Sequence, residues 1–466
     1  MLPTKIVVIG AGSAIFGLNT LVSLLRSPRL RGSRVSLVDH NLQSLEIMGR
    51  LAQRLNQEWG AGMSISTHST HREALDGAEF VVLSIEVPPR EVYWRSDYEI
   101  PLKYGVRQPY AENGGPGGFA HAARNIGPVL EIARDMQRLC PDAWLVNFTN
   151  PLMRICDAVA RYTQVKVVGL CHQIRVGYAM VAKALAQELD IAIPAGFTST
   201  HASPRFIPHY HEVARRALAK AHITAAGLNH FTWMLDVRRD DTGEDLYPLF
   251  ARRWRELPES FEPLTRRVYD AFGLFPIPGD EHLCEYLPWM SDPITRPWER
   301  LDLSLYEWDI WANARDADLE RLRRMASGDL GLEALLAQDS EGAVELIESI
   351  AGVGAATHHA LAVNLPNRGY IPNLPEGAIV EVPGMVSEAG VKGVGVNPLP
   401  VAIAELCRRE INVVQLCVDA AVHGDRQAAL QCLLLDPVIR DMDTAQSILD
   451  NYLSSYRYVL PQFWES

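Results

Sequence analysis

The sequence predicts an α/β fold in which a doubly wound, parallel sheet is followed by a mixed, helix-rich second domain. Two observations carry this prediction. Short β-branched runs alternate with helical periodicity as far as residue 195, where the alternation stops, and the first run ends in a glycine turn that opens a helix.

Lys5-Ile6-Val7-Val8-Ile9 is the first strand, and after Gly10-Ala11-Gly12-Ser13 the residues Ile15, Phe16, Leu21, Val22, Leu24 and Leu25 recur at helical spacing. Arg34 to Val38 is a second strand ending in Asp39, and Ser64 to Ser66 and Glu79 to Ile85 are the third and fourth. Trp144 to Asn147 and Val165 to Leu170, each after a helical stretch, complete a Rossmann-type sheet of the lactate and malate dehydrogenase kind. Ala217 to Arg239 then reads as strand-rich. Leu319 to Leu336, Gly342 to Ala360 and Ile403 to Tyr456 read as helical, with the Pro- and Gly-rich stretch Asn364 to Pro400 separating them. A chain of 466 residues exceeds the usual limit of one core, so residues 1–195 are expected to form a nucleotide-binding domain. Residues 196–466 are expected to form a mixed α+β domain for substrate, metal and oligomerisation.

A net charge of -12 argues against nucleic-acid binding, which calls for a basic face. No uncharged apolar run approaches a membrane span, and Met1-Leu2-Pro3-Thr4-Lys5 carries no signal-peptide pattern. Seven cysteines without CxxC spacing suit a reducing compartment, so a cytoplasmic location is expected.

Gly10-x-Gly12 follows a strand and opens a helix, so Gly10, Gly12, Ser13, Ala14, Ile15 and Phe16 offer backbone N–H groups and a helix N-terminus to a pyrophosphate. Ile15 stands where the usual fingerprint has its third glycine. Asp39, at the end of the next strand, suits a ribose diol and repels a 2′-phosphate, which favours NAD over NADP. Asn150, in Asn147-Phe148-Thr149-Asn150-Pro151, closes another strand at its carboxyl end and pairs a donor with an acceptor, as sugar hydroxyls require; Asn-Pro is also ordinary loop punctuation.

Cys171 and His172 follow the strand Val165 to Leu170 at the same sheet edge. A thiolate with an imidazole can hold a divalent ion and leave coordination positions open, whereas the plainer reading is a buried thiol beside a hydrogen-bonded histidine. Gly227-Leu228-Asn229-His230-Phe231 is a second motif-like histidine context. Glu112, in the glycine-rich loop Tyr110 to Gly118, is a candidate acid, and Gly279-Asp280-Glu281-His282 offers three titratable side chains; either stretch also reads as solvated loop.

Together these pieces resemble glycoside hydrolase family 4, the NAD- and divalent-metal-dependent glycosidases. The likeness runs through Gly10-Ala11-Gly12-Ser13, Glu112 with Gly115-Pro116-Gly117-Gly118, Asn147 to Pro151, Cys171-His172, Asn229-His230, Gly279-Asp280 with His282, Val382-Pro383 and Pro398-Leu399-Pro400. It departs in a longer stretch between Cys171 and His230, in Gln173-Ile174 after the Cys-His pair, and in Asn113-Gly114 ahead of Gly115.

The resemblance implies a hydrolase that oxidises the sugar at C3 with bound NAD⁺, removes the C2 proton, expels the aglycone, adds water and returns the hydride. It implies Cys171 and His230 as ligands of Mn²⁺ or another divalent ion, and Asn150, His172 and Asn229 as substrate contacts. Glu112 takes the place of the leaving-group acid and Asp280 that of the C2 base, with Tyr269 and then His282 as alternatives. His172 after the cysteine is similar to the branch acting on unphosphorylated α-glycosides, uronides with their anionic C6 group included. Such enzymes are commonly homodimers or homotetramers. The competing class is an NAD-dependent dehydrogenase of the malate or lactate type, with net hydride transfer and no use for a metal-binding Cys171.

Overall fold

The β-branched runs form strands β1 (Lys5–Ile9), β2 (Arg34–Val38), β3 (Ser64–His68), β4 (Phe80–Leu83), β5 (Trp144–Asn147) and β6 (Lys166–Gly169). The computed structural model describes residues 4–199, 204, 207–290, 292, 294–303 and 305–464. Parallel pairing in the order β3-β2-β1-β4-β5-β6 makes the expected doubly wound sheet, in which the inner strands are buried and the edge strand β3 is largely exposed. The chain reverses direction across the sheet between β1 and β4, so a cleft opens beyond their carboxyl ends.

The sheet does not stop at β6. It continues through β10 (His358–Pro366), β11 (Ile379–Ser387), β7 (Ala221–Leu228), β8 (Phe231–Arg239) and β9 (Phe275–Pro276), all antiparallel, with β12 (Gly390–Gly393) beside β11. The joins are narrow: Asn364 pairs with Gly169 between β10 and β6, and Glu381 pairs with Gly227 between β11 and β7. The boundary expected after residue 195 falls between the helices Ile174–Ala184 and Ile207–Leu218, yet one apolar core runs from Ile6 to Phe463 on both sides of it. A smaller core packs the helix Ile174–Ala184 against β7, β8, Phe250, Trp254 and Phe275.

Two expectations about the second half are corrected. Asn364 to Pro400 is not a separator, because Ile379, Val380, Val382 and Val386 are buried strand residues and the prolines and glycines fall mostly at turns and strand ends. Gly342 to Ala360 is helical only over Ala343–Ile350; Gly352, with φ +69°, ends that turn and β10 begins at His358. Likewise Ile403 to Tyr456 is three helices, Val401–His423, Arg426–Leu435 and Met442–Ser455, interrupted at Gly424 and recapped by Asp425 and Asp441. No described helix is long and apolar enough to cross a membrane.

A buried ion pair ties the C-terminal helical region to the nucleotide-binding half. Arg124, on the helix Gly115–Leu139, donates to both carboxylate oxygens of Asp97 at 2.7 and 2.5 Å. Tyr456 donates to the same carboxylate at 2.7 Å, and Tyr452 donates to the Asp97 carbonyl at 2.6 Å. With both charges out of water, removing one strands the other. Asp97→Ala is therefore expected to destabilise the fold by about 3–5 kcal/mol, read as a lower urea midpoint; an unchanged midpoint would show the pair to be dispensable.

Candidate active site

A cavity of about 1380 Å³ lies along the carboxyl ends of β1, β4, β5 and β6. One end is built by the first glycine turn. Gly10 has φ +86°, and a Cβ there would lie 1.8 Å from the Ser84 carbonyl oxygen, so only glycine fits. Asp39 Oδ2 accepts the Gly12 N–H at 2.8 Å and its Oδ1 accepts from Asn41, which holds the carboxylate at the cavity wall. Ser13 Oγ accepts the N–H of Phe16 at 3.2 Å, and Ala14, Ile15 and Phe16 line the wall.

Ile15 is tolerated at the third-glycine position because the close helix contact has moved. A Cβ on Gly17 would lie 2.5 Å from the Ala11 carbonyl oxygen, so Gly17 lets the helix Phe16–Arg26 seat against the turn. The spacing Gly10-x-Gly12-x4-Gly17 was the signal available in the sequence. A glycine turn, a helix N-terminus and a carboxylate just after β2 fit a dinucleotide with an unmodified ribose.

The other end is assembled from distant segments. Cys171 Sγ, after β6, lies 3.1 Å from His230 Nε2 in the β7–β8 turn, and both line the cavity. The His282 ring stacks on His230 at 4.5 Å and 8°. His172 Nδ1 lies 3.1 Å from Glu341 Oε1, and Asn150 reaches the wall from the end of β5. Burial, followed by the Glu341 and Glu381 charges, pushes the Cys171 thiol well above its usual range, so a cation binding there would have to displace the thiol proton to solvent. A thiol and an imidazole side by side, with the cavity open beyond them, fit a divalent transition metal with substrate positions left free.

Three expected roles do not match the geometry. Asn229 is not on the cavity wall; its side chain donates to Glu381 Oε2 at 2.8 Å and also bonds the Cys171 thiol, so it braces the Cys171–His230 pair. Asp280 accepts the N–H groups of Leu264 and Thr265 at 2.9 and 2.7 Å, capping the helix Pro263–Phe272, and it is absent from the cavity wall. Tyr269 packs in the smaller apolar core. Of the three base candidates His282 alone lines the cavity; burial, then His230 and His172, hold its pKa well below the usual range, so the ring is neutral.

Glu112 does line the cavity, held by Asn113 Nδ2 at 3.0 Å. Glu86, Arg90, His211 and Glu341 line it as well, and none was marked by the sequence. Glu86 sits 2.8 Å from His121 Nε2; burial alone would raise its pKa, but His121 and then Arg90 and Asn125 bring it down to about 2. Its one sequence signal is position, just beyond a strand's carboxyl end. His71, Glu131 and Asp135 form a second metal-like group, but Arg72 Nε closes it, 2.6 Å from Asp135.

The sequence model of family 4 glycosyl hydrolases matches residues 5–187, and that of the family's C-terminal domain matches residues 225–439. The chain belongs to glycosyl hydrolase family 4. An α-glucosidase of Erwinia rhapontici is 30% identical over 97% of this chain and 97% of that protein. An α-galacturonidase of Lachnoclostridium phytofermentans is 27% identical over 99% of this chain and 97% of its own length. The 6-phospho-β-glucosidase of Thermotoga maritima, solved with manganese, NAD⁺ and glucose-6-phosphate, shares the fold: TM-score 0.77 at 22% identity, covering 98% of this chain and 99% of that one. Membership makes this family 4 protein a glycoside hydrolase and disfavours the malate- or lactate-type dehydrogenase reading.

The displaced glycine can be tested directly. Gly17→Val in this family 4 enzyme is expected to push the helix Phe16–Arg26 off the turn, destabilising the fold by about 1–3 kcal/mol and weakening NAD⁺ binding in calorimetry. Wild-type NAD⁺ affinity in a folded Gly17→Val variant would show that the close contact is not needed.

Proposed function

We propose that this enzyme cleaves an unphosphorylated α-glycoside by oxidation at C3, loss of the C2 proton, departure of the aglycone, addition of water and re-reduction. The observation that carries the reading is the 3.1 Å pairing of Cys171 and His230 in the same cavity as the glycine turn. When bound, NAD⁺ supplies reversible hydride transfer at C3 and a divalent ion such as Mn²⁺ polarises the neighbouring oxygens, which acidifies C2–H.

Cys171 and His230 would hold the ion, and Asn150 and His172 would orient the sugar hydroxyls at the same wall. His282, neutral and stacked on His230, accepts the C2 proton in this reading, a role the helix-capping contacts of Asp280 do not favour. Glu112 protonates the departing oxygen. The absence of phosphate specificity is supported by His172 beside the cysteine and by relatives that bear the names α-glucosidase and α-galacturonidase; uronides fall within the proposed class.

Removing NAD⁺ and chelating the metal should each abolish cleavage of nitrophenyl α-glycosides, and re-adding both should restore it without net NADH. Full activity in cofactor-stripped, chelator-treated enzyme would refute the mechanism. His282→Gln should cut both aglycone release and C2–H exchange with deuterated solvent by about 100-fold or more, while enzyme-bound NADH still forms on adding substrate. Wild-type exchange in that variant, with loss of exchange in Asp280→Asn, would return the role to Asp280.

A further inference from the structure

Arg90 lines the cavity just beyond β4, with its guanidinium 4.3 Å above the Trp94 ring. Three carboxylates surround it at ion-pair distance: Glu86 at 3.8 Å, Glu91 at 3.8 Å and Glu112 at 3.7 Å. None accepts a hydrogen bond from it, and no other described residue does. Each carboxylate has a nearer donor. Glu86 takes His121 at 2.8 Å, Glu91 takes Arg315 Nε at 2.9 Å and Glu112 takes Asn113 at 3.0 Å. A planar fork of five N–H donors is thus held in place by stacking and surrounding charge, while its hydrogen bonds remain to be made.

Its place in the sheet indicates what would make them. The loops after β4 and β6 flank the loop after β5, so they are separated by two strand spacings, about 10 Å. In the proposed function, on which this step rests, the C2 and C3 hydroxyls lie at Cys171 and His230 beyond β6. C2 and C5 face each other across a pyranose ring, so the C6 substituent points away from that pair, across Asn150, toward the loop beyond β4. A carboxylate at C6 matches the guanidinium fork with two parallel hydrogen bonds. Glu86, Glu91 and Glu112 would repel any anion there, but a phosphate dianion about twice as strongly as a single carboxylate charge, and a hydroxymethyl group would use only part of the fork.

We propose that Arg90 is the specificity-determining residue that reads the C6 carboxylate of a hexuronic acid, making the enzyme's substrate an α-uronide. The test compares nitrophenyl α-uronides with the matching α-hexosides on holoenzyme containing NAD⁺ and Mn²⁺, for wild type, Arg90→Lys and Arg90→Met. Wild type should prefer the uronide. Arg90→Met should lower kcat/KM for the uronide by about 10- to 100-fold, mainly through KM, and that for the hexoside by much less, with Arg90→Lys in between. Calorimetry with free hexuronate and free hexose should show the uronate preference lost in Arg90→Met at unchanged NAD⁺ affinity. Preference of wild type for hexosides, or equal losses on both substrates, would overturn the proposal. If no glycoside is cleaved, the proposed function fails instead, and hexuronate binding that depends on Arg90 still decides this inference.

Discussion

The candidate active-site cavity is braced by one buried carboxylate. Cys171 and His230 belong to segments that two antiparallel strands, β10 and β11, hold apart in the sheet. Glu381 of β11 accepts from Asn229, next to His230, and from Asn364 of β10 at 2.9 Å. Asn364 in turn donates to the Gly169 carbonyl at 3.4 Å, two residues before Cys171. The same two residues make the backbone joins of the sheet at these points. In a dry interior such a network has few alternative arrangements, so it fixes the separation of thiol and imidazole more sharply than two loops could. Burial raises the pKa of Glu381, and the amides of Asn364 and Asn229 counter that shift by donating to it.

Around that brace the cavity divides its labour by charge. The dinucleotide end sets the Asp39 carboxylate beside backbone N–H groups, a combination suited to a pyrophosphate and a ribose diol. The opposite end gathers His282, Asn150 and the Cys171 thiol beside the His172–Glu341 pair, and Glu86 and Arg90 line the same cavity.

Much of the architecture was legible because the first strand is a nearly continuous β-branched run, and strand, glycine turn and helix follow one another in order. The second half was less legible. Its strands β10 and β11 carry Asn364, Pro366, Glu381, Pro383 and Gly384, which locally resemble loop, and only pairing with distant partners makes them strands. The site was legible where a residue sat at the end of a recognisable strand: Asp39, Asn150, Cys171 and His172 are all on the cavity wall. His230, found through its motif context, is there too.

By itself the sequence determined the doubly wound sheet, the family resemblance and the strand-end residues, since each is written in periodicity or short motifs within one segment. Only the tertiary structure decided which way Asn229, Asp280 and His282 point, because a side chain's direction depends on which distant backbone or carboxylate can satisfy it. It alone brought Glu341 to His172 across 169 residues of chain, and it alone set Arg90 among three carboxylates that are paired elsewhere. Local sequence records what a residue can bond to; the packed chain decides which of those bonds remains for a ligand.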